Sequence, residues 1–487
     1  MIQIMKCKQL KCILSIFLAL LTVISVVAVG VGSISASAKE LTNGTFYYFV
    51  SENKVYLDSV VDMDYTGKTL VIPAKIDGME VANIGPDGRG FFMYLTRSGN
   101  IDTITSIKIE EGIVQLAHGK YNHPDYEEDR EFNDYEDLGI VGIFEGLKNL
   151  KNVSLPKSLK AIDFGMFRNC SSLEKITIPE SVEYFGTNVF DGCTSLKYVK
   201  LPSTMKNIPK KMFRNCKSLK SITIPSSVKS IDESAFAYCE SLKFKIPKNI
   251  KVIGEEAFYS CKSLTGKLKI PKNLKEIGDG AFAFCTGLTG FRIADGNKYF
   301  SQKGGVLFDK KKTEIHCYLS GKETKEYKVP STVKSIDDYA FAGTKYLRKI
   351  TLSSKMKIVS GYAFYKSKVK EVNMPKSIAY IRDSAFEKCK NLKEIKIPSK
   401  VKSIGGFVFK GCDELKSLTF PKSVSIISLE AFDNCKNLKT VKILNKKCDI
   451  YFWKDKVSGS KPTIYGYKNS TAQKFAKKAK LKFVAIK

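Results

Sequence analysis

One interval governs this sequence. Phenylalanine falls at Phe144, Phe167, Phe190, Phe213, Phe236, Phe258, Phe282, Phe341, Phe364, Phe386, Phe409 and Phe432, with gaps of 23, 23, 23, 23, 22, 24, 59, 23, 22, 23 and 23. The same spine returns around each ring, as in residues 225–247 (PSSVKSIDESAFAYCESLKFKIP): Pro–x–x–Val/Leu–x–x–Ile, then Ala-Phe–x–x–Cys–x–x–Leu–x–x–Ile–x–Ile-Pro. A unit this short cannot bury its apolar side alone, so a fixed period of this size implies coils stacked into a continuous core. The 487 residues therefore predict one long solenoid, not a string of globular domains. Leu219, Ile222 and Ile224 alternate as in a short strand with polar residues outward. Proline ends that strand. Val228 and Ile231 return to the core, Ala235-Phe236 opens a short helical or turn segment, and Cys239 and Leu242 close the coil.

The N-terminus sets the compartment. Lys6, Lys8 and Lys11 precede an apolar run over residues 12–32, and Ala36-Ser37-Ala38 supplies small residues before Lys39. This pattern predicts a secretory signal peptide, residues 1–38, cleaved after Ala38. An uncleaved anchor is the alternative, because the run is long enough to span a bilayer. No second hydrophobic span follows, so cleavage leaves no transmembrane segment. Cys7 and Cys12 stand at or before the start of the run, where a lipoprotein cysteine would not.

The mature chain divides by its repeats. Residues 39–103 read as an N-terminal cap, with strands at 46–50 and 69–73 and a degenerate repeat at 74–85. Residues 104–143 hold an interrupted repeat whose insertion carries eight acids, preceded by His118 and His123. Its spacing matches no calcium loop, and it reads as a solvated projection. Residues 144–294 and 329–444 are the two repeat arrays. Residues 295–328 separate them and predict a β-hairpin packed on the solenoid, with strands at 304–308 and 313–319 joined by residues 309–312. His316 and Cys317 read there as packing residues, since no Asp or second His lies near them in sequence. Residues 445–487 form a basic C-terminal cap: a strand at 463–465, a capping box at 470–473 opening a helix to about Ala479, and a last strand at 481–486. From Lys461 onward there are eight lysines and no acid.

Nine cysteines share one repeat position: Cys170, Cys193, Cys216, Cys239, Cys261, Cys285, Cys389, Cys412 and Cys435. Leu147, Thr344 and Ser367 replace them in other coils without loss of a pairing partner, which favours a ladder of buried free thiols. Bridges between adjacent coils remain geometrically open. The absence of a local CxxC argues against a metal site, and no cofactor is implied. Enzymatic chemistry is not supported. There is no nucleophile elbow, zinc motif or phosphate-cradling loop, so no catalytic residue is assigned.

The repeated unit, in so many in-phase copies over residues 144–444, resembles the 23-residue repeat of BspA-type leucine-rich-repeat proteins of bacterial surfaces. The GGVLF segment and the TIYGY…STAQKFAKKAKLKFVAI ending look like further features of that family. The resemblance implies a β-rich α/β repeat solenoid: a leucine-rich-repeat horseshoe with a concave parallel sheet and short helices or turns on the convex side. It also implies a secreted or cell-surface bacterial binding protein, with adhesion to host matrix proteins or other cells as the associated role. No catalytic residues come with it. An LPxTG-type sorting motif and a dockerin-like repeat are both missing.

With 80 Lys and Arg against 49 Asp and Glu, the surface favours anionic partners. A lysine-rich solvated surface is the plainer reading of the same balance. Export excludes intracellular nucleic acid as a partner. The outward strand residues of successive coils line one face, and Tyr198, Lys200, Lys243, Lys245, Lys267, Lys269 and Arg292 form its basic stripe. Two functions compete. One is an adhesin engaging an extracellular protein or glycan. The other is a structural protein bound to the producer's own anionic cell wall.

Overall fold

The computed structural model describes residues 41–42, 46–51, 53–60, 67–84, 100–116, 142–451 and 457–487. The leader reading and the acidic insertion with His118 and His123 lie outside the described residues. The chain is a β-solenoid. In most coils the Leu–x–x–Ile–x–Ile segment pairs in parallel with its counterpart in the next, as Lys175–Thr177 with Tyr198–Lys200 and Lys349–Thr351 with Glu371–Asn373. The Val–x–x–Ile segment forms a second parallel ladder of two-residue strands, such as Asn207–Ile208, Ser230–Ile231, Val252–Ile253 and Glu276–Ile277. Proline lies between the two segments, where a missing N–H breaks no ladder bond.

The third side of each coil is a turn, and it too bonds along the stack. The N–H of Ser234 donates to Glu255 O (2.8 Å), that of Phe236 to Ala257 O (2.8 Å) and that of Tyr238 to Tyr259 O (2.7 Å). Pointing these donors at the neighbouring coil requires left-handed backbone at both residues flanking the ring, with φ 53° at Ser234 and 63° at Tyr238. Such conformations cost about 1–2 kcal/mol each outside glycine. Asn169, Asn188 and Asn215 tolerate these positions best and occupy them in earlier coils. Of the short helices or turns expected on this side the structure has turns, because the amides reach the next coil instead of a carbonyl four residues back. Among the described residues, helix is confined to 3-10 turns at Asn100–Thr103 and Leu429–Phe432 and one α-helix, Thr471–Lys478.

The phenylalanines stack inside. Ring centroids lie 5.4–5.7 Å apart from Phe144 to Phe282. Beside them runs the cysteine ladder. All eleven described cysteines are free and buried. Each repeat-position thiol donates to the carbonyl of the phenylalanine one coil back, as Cys193 to Phe167 O (3.0 Å) and Cys216 to Phe190 O (3.2 Å). Burial raises every thiol pKa in the ladder; the Cys389 thiol is pushed up to about 12.

Residues 295–328 contain the expected hairpin, Val306–Asp309 with Glu314–Tyr318, with a further strand before it and its second strand built into the stack. Phe300–Lys303, Val306–Asp309 and Glu314–Tyr318 pair antiparallel in sequence, and Glu314–Tyr318 then pairs in parallel with Ser335–Ile336. The last strand is therefore a coil strand. Tyr318 stands where phenylalanine stands elsewhere, 23 residues before Phe341, and stacks on it at 5.0 Å. Side chains alternate between two cores. Leu307, Cys317 and Leu319 join the N-terminal one; Val306, Phe308, Ile315 and Tyr318 join the C-terminal one. Both faces of these strands are apolar, so both had to be covered.

This coil is also two residues shorter at its turn. Ile315 precedes Tyr318 by three residues, whereas Ile336 precedes Phe341 by five. Neighbouring rings fill the notch. Tyr339 lies over Gly280, and Phe284 lies so close to Gly343 (φ 65°) that a Cβ there would meet its ring at 2.5 Å.

At the C-terminal end Ser470 Oγ accepts from the N–H of Gln473 (3.3 Å), and Gln473 Oε1 accepts from the N–H of Asn469 (2.7 Å). The Ser470 half is that of the expected capping box, while Gln473 reaches one residue farther back than the N-cap. The helix it opens sets Phe475 edge-on to Phe432 (6.4 Å).

Candidate functional site

The seven predicted stripe residues are all exposed, and the intervening Val199, Ile246, Leu268 and Phe291 are buried. Strand alternation gives this directly. The stripe does not lie on one unbroken sheet, however. Lys175–Thr177 and Tyr198–Lys200 form one two-stranded sheet; Gly266–Ile270 and Leu288–Ile293 form another. Between them residues 221–223 and 243–245 are extended without a strand ladder.

Two changes in repeat length explain the break. The coil of Phe236 lacks one residue before Phe244, so that ring wedges between Phe236 and Phe258 at 5.7 and 5.0 Å. The coil of Phe258 gains one residue, which appears as a bulge at Gly266/Lys267 with Gly266 at φ 72°.

Among the described residues no carboxylate forms an ion pair with Lys200, Lys243, Lys245, Lys267, Lys269 or Arg292. Farther along the same face Lys349 is neutralised by Glu371 (3.0 Å). Lys197 pairs with Glu174 (3.0 Å) just outside the stripe. Lys175, Lys328 and Lys442, exposed on strands of other coils, likewise form no ion pair among the described residues, so what marks coils 198–292 is the run of cations in succession.

The stripe ends in an open depression of about 600 Å³, lined by Lys267, Phe291 and Arg292 from the strands and by Phe300, Ser301, Gln302 and Lys310 from the insertion. Sequence reasoning had found Lys267 and Arg292 but not the insertion's contribution. The wall is anchored by Asn297. Its buried Nδ2 donates to Pro271 O (2.7 Å) and Leu274 O (3.0 Å), and its Oδ1 accepts from the N–H groups of Tyr299 and Phe300 (both 2.9 Å). Lys310 Nζ donates to Asn297 O (3.0 Å). Asp309 holds the turn, accepting from the N–H groups of Thr313 (2.6 Å) and Glu314 (2.8 Å). Burial works to raise the Asp309 carboxyl, but these donors outweigh it and hold it below the usual carboxylate range. The result is a braced, open depression with three cationic side chains, Lys267, Arg292 and Lys310, over the buried rings of Phe291 and Phe300.

The reading of His316 as packing alone is corrected. Coil stacking brings Asp337, 21 residues on, to 2.7 Å from His316 Nδ1. The missed signal was the repeat itself, since residues about one period apart become cross-strand neighbours. Burial works to lower the His316 pKa, but the hydrogen bond that the ring donates to Asp337 and the nearby carboxylates outweigh it and raise it. Cys317 faces the other core and its thiol pKa is raised by burial, so it is no thiolate nucleophile for this pair.

Comparison with known proteins follows this architecture. The family model described as "BspA type Leucine rich repeat region" matches in six copies over residues 141–243, 241–304 and 311–439, more than half of the chain. No curated protein matches the chain. A crystal structure of a leucine rich cell surface protein from Faecalibacterium prausnitzii A2-165 is similar, with a TM-score of 0.56 and 22% identity over 84% of this chain and 96% of that one. The pneumococcal vaccine antigen PcpA gives a TM-score of 0.44 and 22% identity over 92% of this chain and 99% of that one. A leucine-rich repeat protein from Bacteroides ovatus gives 0.41 and 19% over 92% and 100%. At these identities the likeness concerns the fold alone. The family model, the repeat spine and the solenoid agree, and this chain belongs to the BspA-type leucine-rich-repeat family.

Proposed function

We propose that this chain is an exported, surface-associated binding protein that engages an anionic extracellular ligand, an acidic glycan or protein, along its basic strand face. The observation that carries this reading is the run of unpaired cations from Lys200 to Arg292 leading into the braced cleft. Several exposed cations that form no carboxylate ion pair among the described residues present a summed field, which steers and holds an extended anion in a salt-sensitive way. Export rests on the leader of residues 1–38. No helix among the described residues is long and apolar enough to cross a membrane. A repeat scaffold of this kind offers an extended surface and no reaction, and we assign it none.

A second reading has its own support. From Lys461 to Lys487 there are eight lysines and no acid, which suits retention on the producer's anionic wall.

The test is binding of residues 39–487 to immobilised mucin and matrix protein and, in parallel, to the producer's purified wall, each titrated with salt. Salt-sensitive binding to host material supports the adhesin reading. Binding to the wall alone supports the structural one.

A further inference from the structure

We propose that Glu314, His316 and Asp337 form a binding site for a divalent zinc-class metal ion. Their ligand atoms, one carboxylate oxygen from each acid and a ring nitrogen from His316, all lie within 4.8 Å of one another. The placement follows from strand pairing. Glu314 and Ile315 stand opposite Ser335 and Ile336 in a parallel ladder, so His316 and Asp337 are the next pair along. Glu314 lies two residues before His316 and so shares its face of the strand.

Two of the three side chains are already oriented by other groups. Ser335 Oγ donates to Glu314 Oε1 at 2.7 Å. The His316 ring stands edge-on to Phe300 at 5.4 Å. Such outer contacts fix ligand geometry before the ion arrives. The His316 and Asp337 side chains are 13% and 9% exposed, which is accessible to an ion and one water yet shielded from bulk solvent.

Charge gives an independent reason. The chain carries 80 Lys and Arg, but among the described residues none of them forms an ion pair with Glu314 or Asp337. His316 is the ion-pair partner of Asp337, and Glu314 forms no ion pair among the described residues, so two carboxylates stand beside one cation of variable charge.

The donor set selects the ion class. One imidazole and two carboxylates match zinc, which takes nitrogen and oxygen ligands at about 2.0–2.2 Å and leaves a fourth tetrahedral position to water. Calcium asks for six to eight oxygens, more than these residues offer. Around a tetrahedral ion the ligand atoms would sit about 3.3 Å apart, so modest side-chain rotation closes the site. The His316–Asp337 hydrogen bond is then replaced by two bonds to the metal.

The experiment uses residues 39–487 with His118→Gln and His123→Gln, which leaves His316 as the sole histidine. Zinc ion alone is added, with affinity read by competition with a chromophoric chelator and the single imidazole resonance followed by NMR. One equivalent should bind and shift that resonance. Glu314→Gln, which leaves the His316–Asp337 pair in place, should weaken binding at least about tenfold; Asp338→Asn should not. An imidazole resonance unmoved by zinc, or a Glu314→Gln variant that binds as the parent does, would overturn the proposal and leave the pair purely structural.

Discussion

The thiol of Cys193 donates to the carbonyl oxygen of Phe167, one coil away, at 3.0 Å. The same bond recurs up the array, so each cysteine is both a core side chain and a staple between coils. Residues 39–487 should therefore give eleven reactive thiols when denatured and almost none in the native state at pH 8, since all eleven are buried. The sign follows from burial, which raises the thiol pKa values and withholds the reactive thiolate. A denatured count far below eleven would mean that bridges join neighbouring coils.

Phe236 sits mid-column, 5.4 Å from Phe213 and 5.5 Å from Phe258. Phe236→Ala should cost about 3–5 kcal/mol, as ring removal does in a core that cannot collapse around the gap. Urea denaturation reads this directly. A loss below about 1 kcal/mol would show that the stack is looser than its spacing implies.

Asn297 fixes the wall of the cleft. Asn297→Ala removes four hydrogen bonds and leaves the buried Leu274 carbonyl without its donor, while Pro271 O keeps the N–H of Leu274. The expected loss is about 1–3 kcal/mol, together with weaker binding at the stripe. Unchanged ligand binding in a folded Asn297→Ala protein would detach the insertion from the site.

Burial, with repulsion from Asp337 and Asp338, pushes the Asp279 carboxyl up to about 7. A raised acid favours the folded state in its protonated form, so its penalty is absent below about pH 4 and grows as pH rises toward 7. Asp279→Asn should stabilise the chelator-treated protein at pH 8 by about 1–2 kcal/mol, a figure reduced for its half-exposed setting, with no effect at pH 4. Equal effects at both pH values would contradict this origin.

The fold was largely legible because the Phe, Cys and Ile spacings encode coil, ladder and strand together. Two features were not. The 59-residue gap concealed a coil whose ring is Tyr318 and whose turn is two residues short, so neither its spine nor its Ala-Phe pair could be matched. The choice between short helix and turn on the third side stayed open because sequence spacing does not reveal left-handed backbone at positions such as Ser234 and Tyr238. For the site, strand alternation identified which lysines face outward. It could not show that the sheet breaks at residues 243–245, that the insertion walls a cleft beside Arg292, or that Asp337 reaches His316.

The most direct test of the binding account compares two variants of equal net charge. One changes Lys243, Lys245, Lys267 and Lys269 to Ser; the other changes Lys461, Lys468, Lys474 and Lys477 to Ser. Affinity for an immobilised sulfated glycan is measured from low to high salt. The account predicts that the first variant loses about tenfold or more at low salt, from four contacts each worth a fraction of a kcal/mol, and that the second stays near wild type. Equal losses, or a loss confined to the second variant, would contradict it and move binding from the strand face to the C-terminal end.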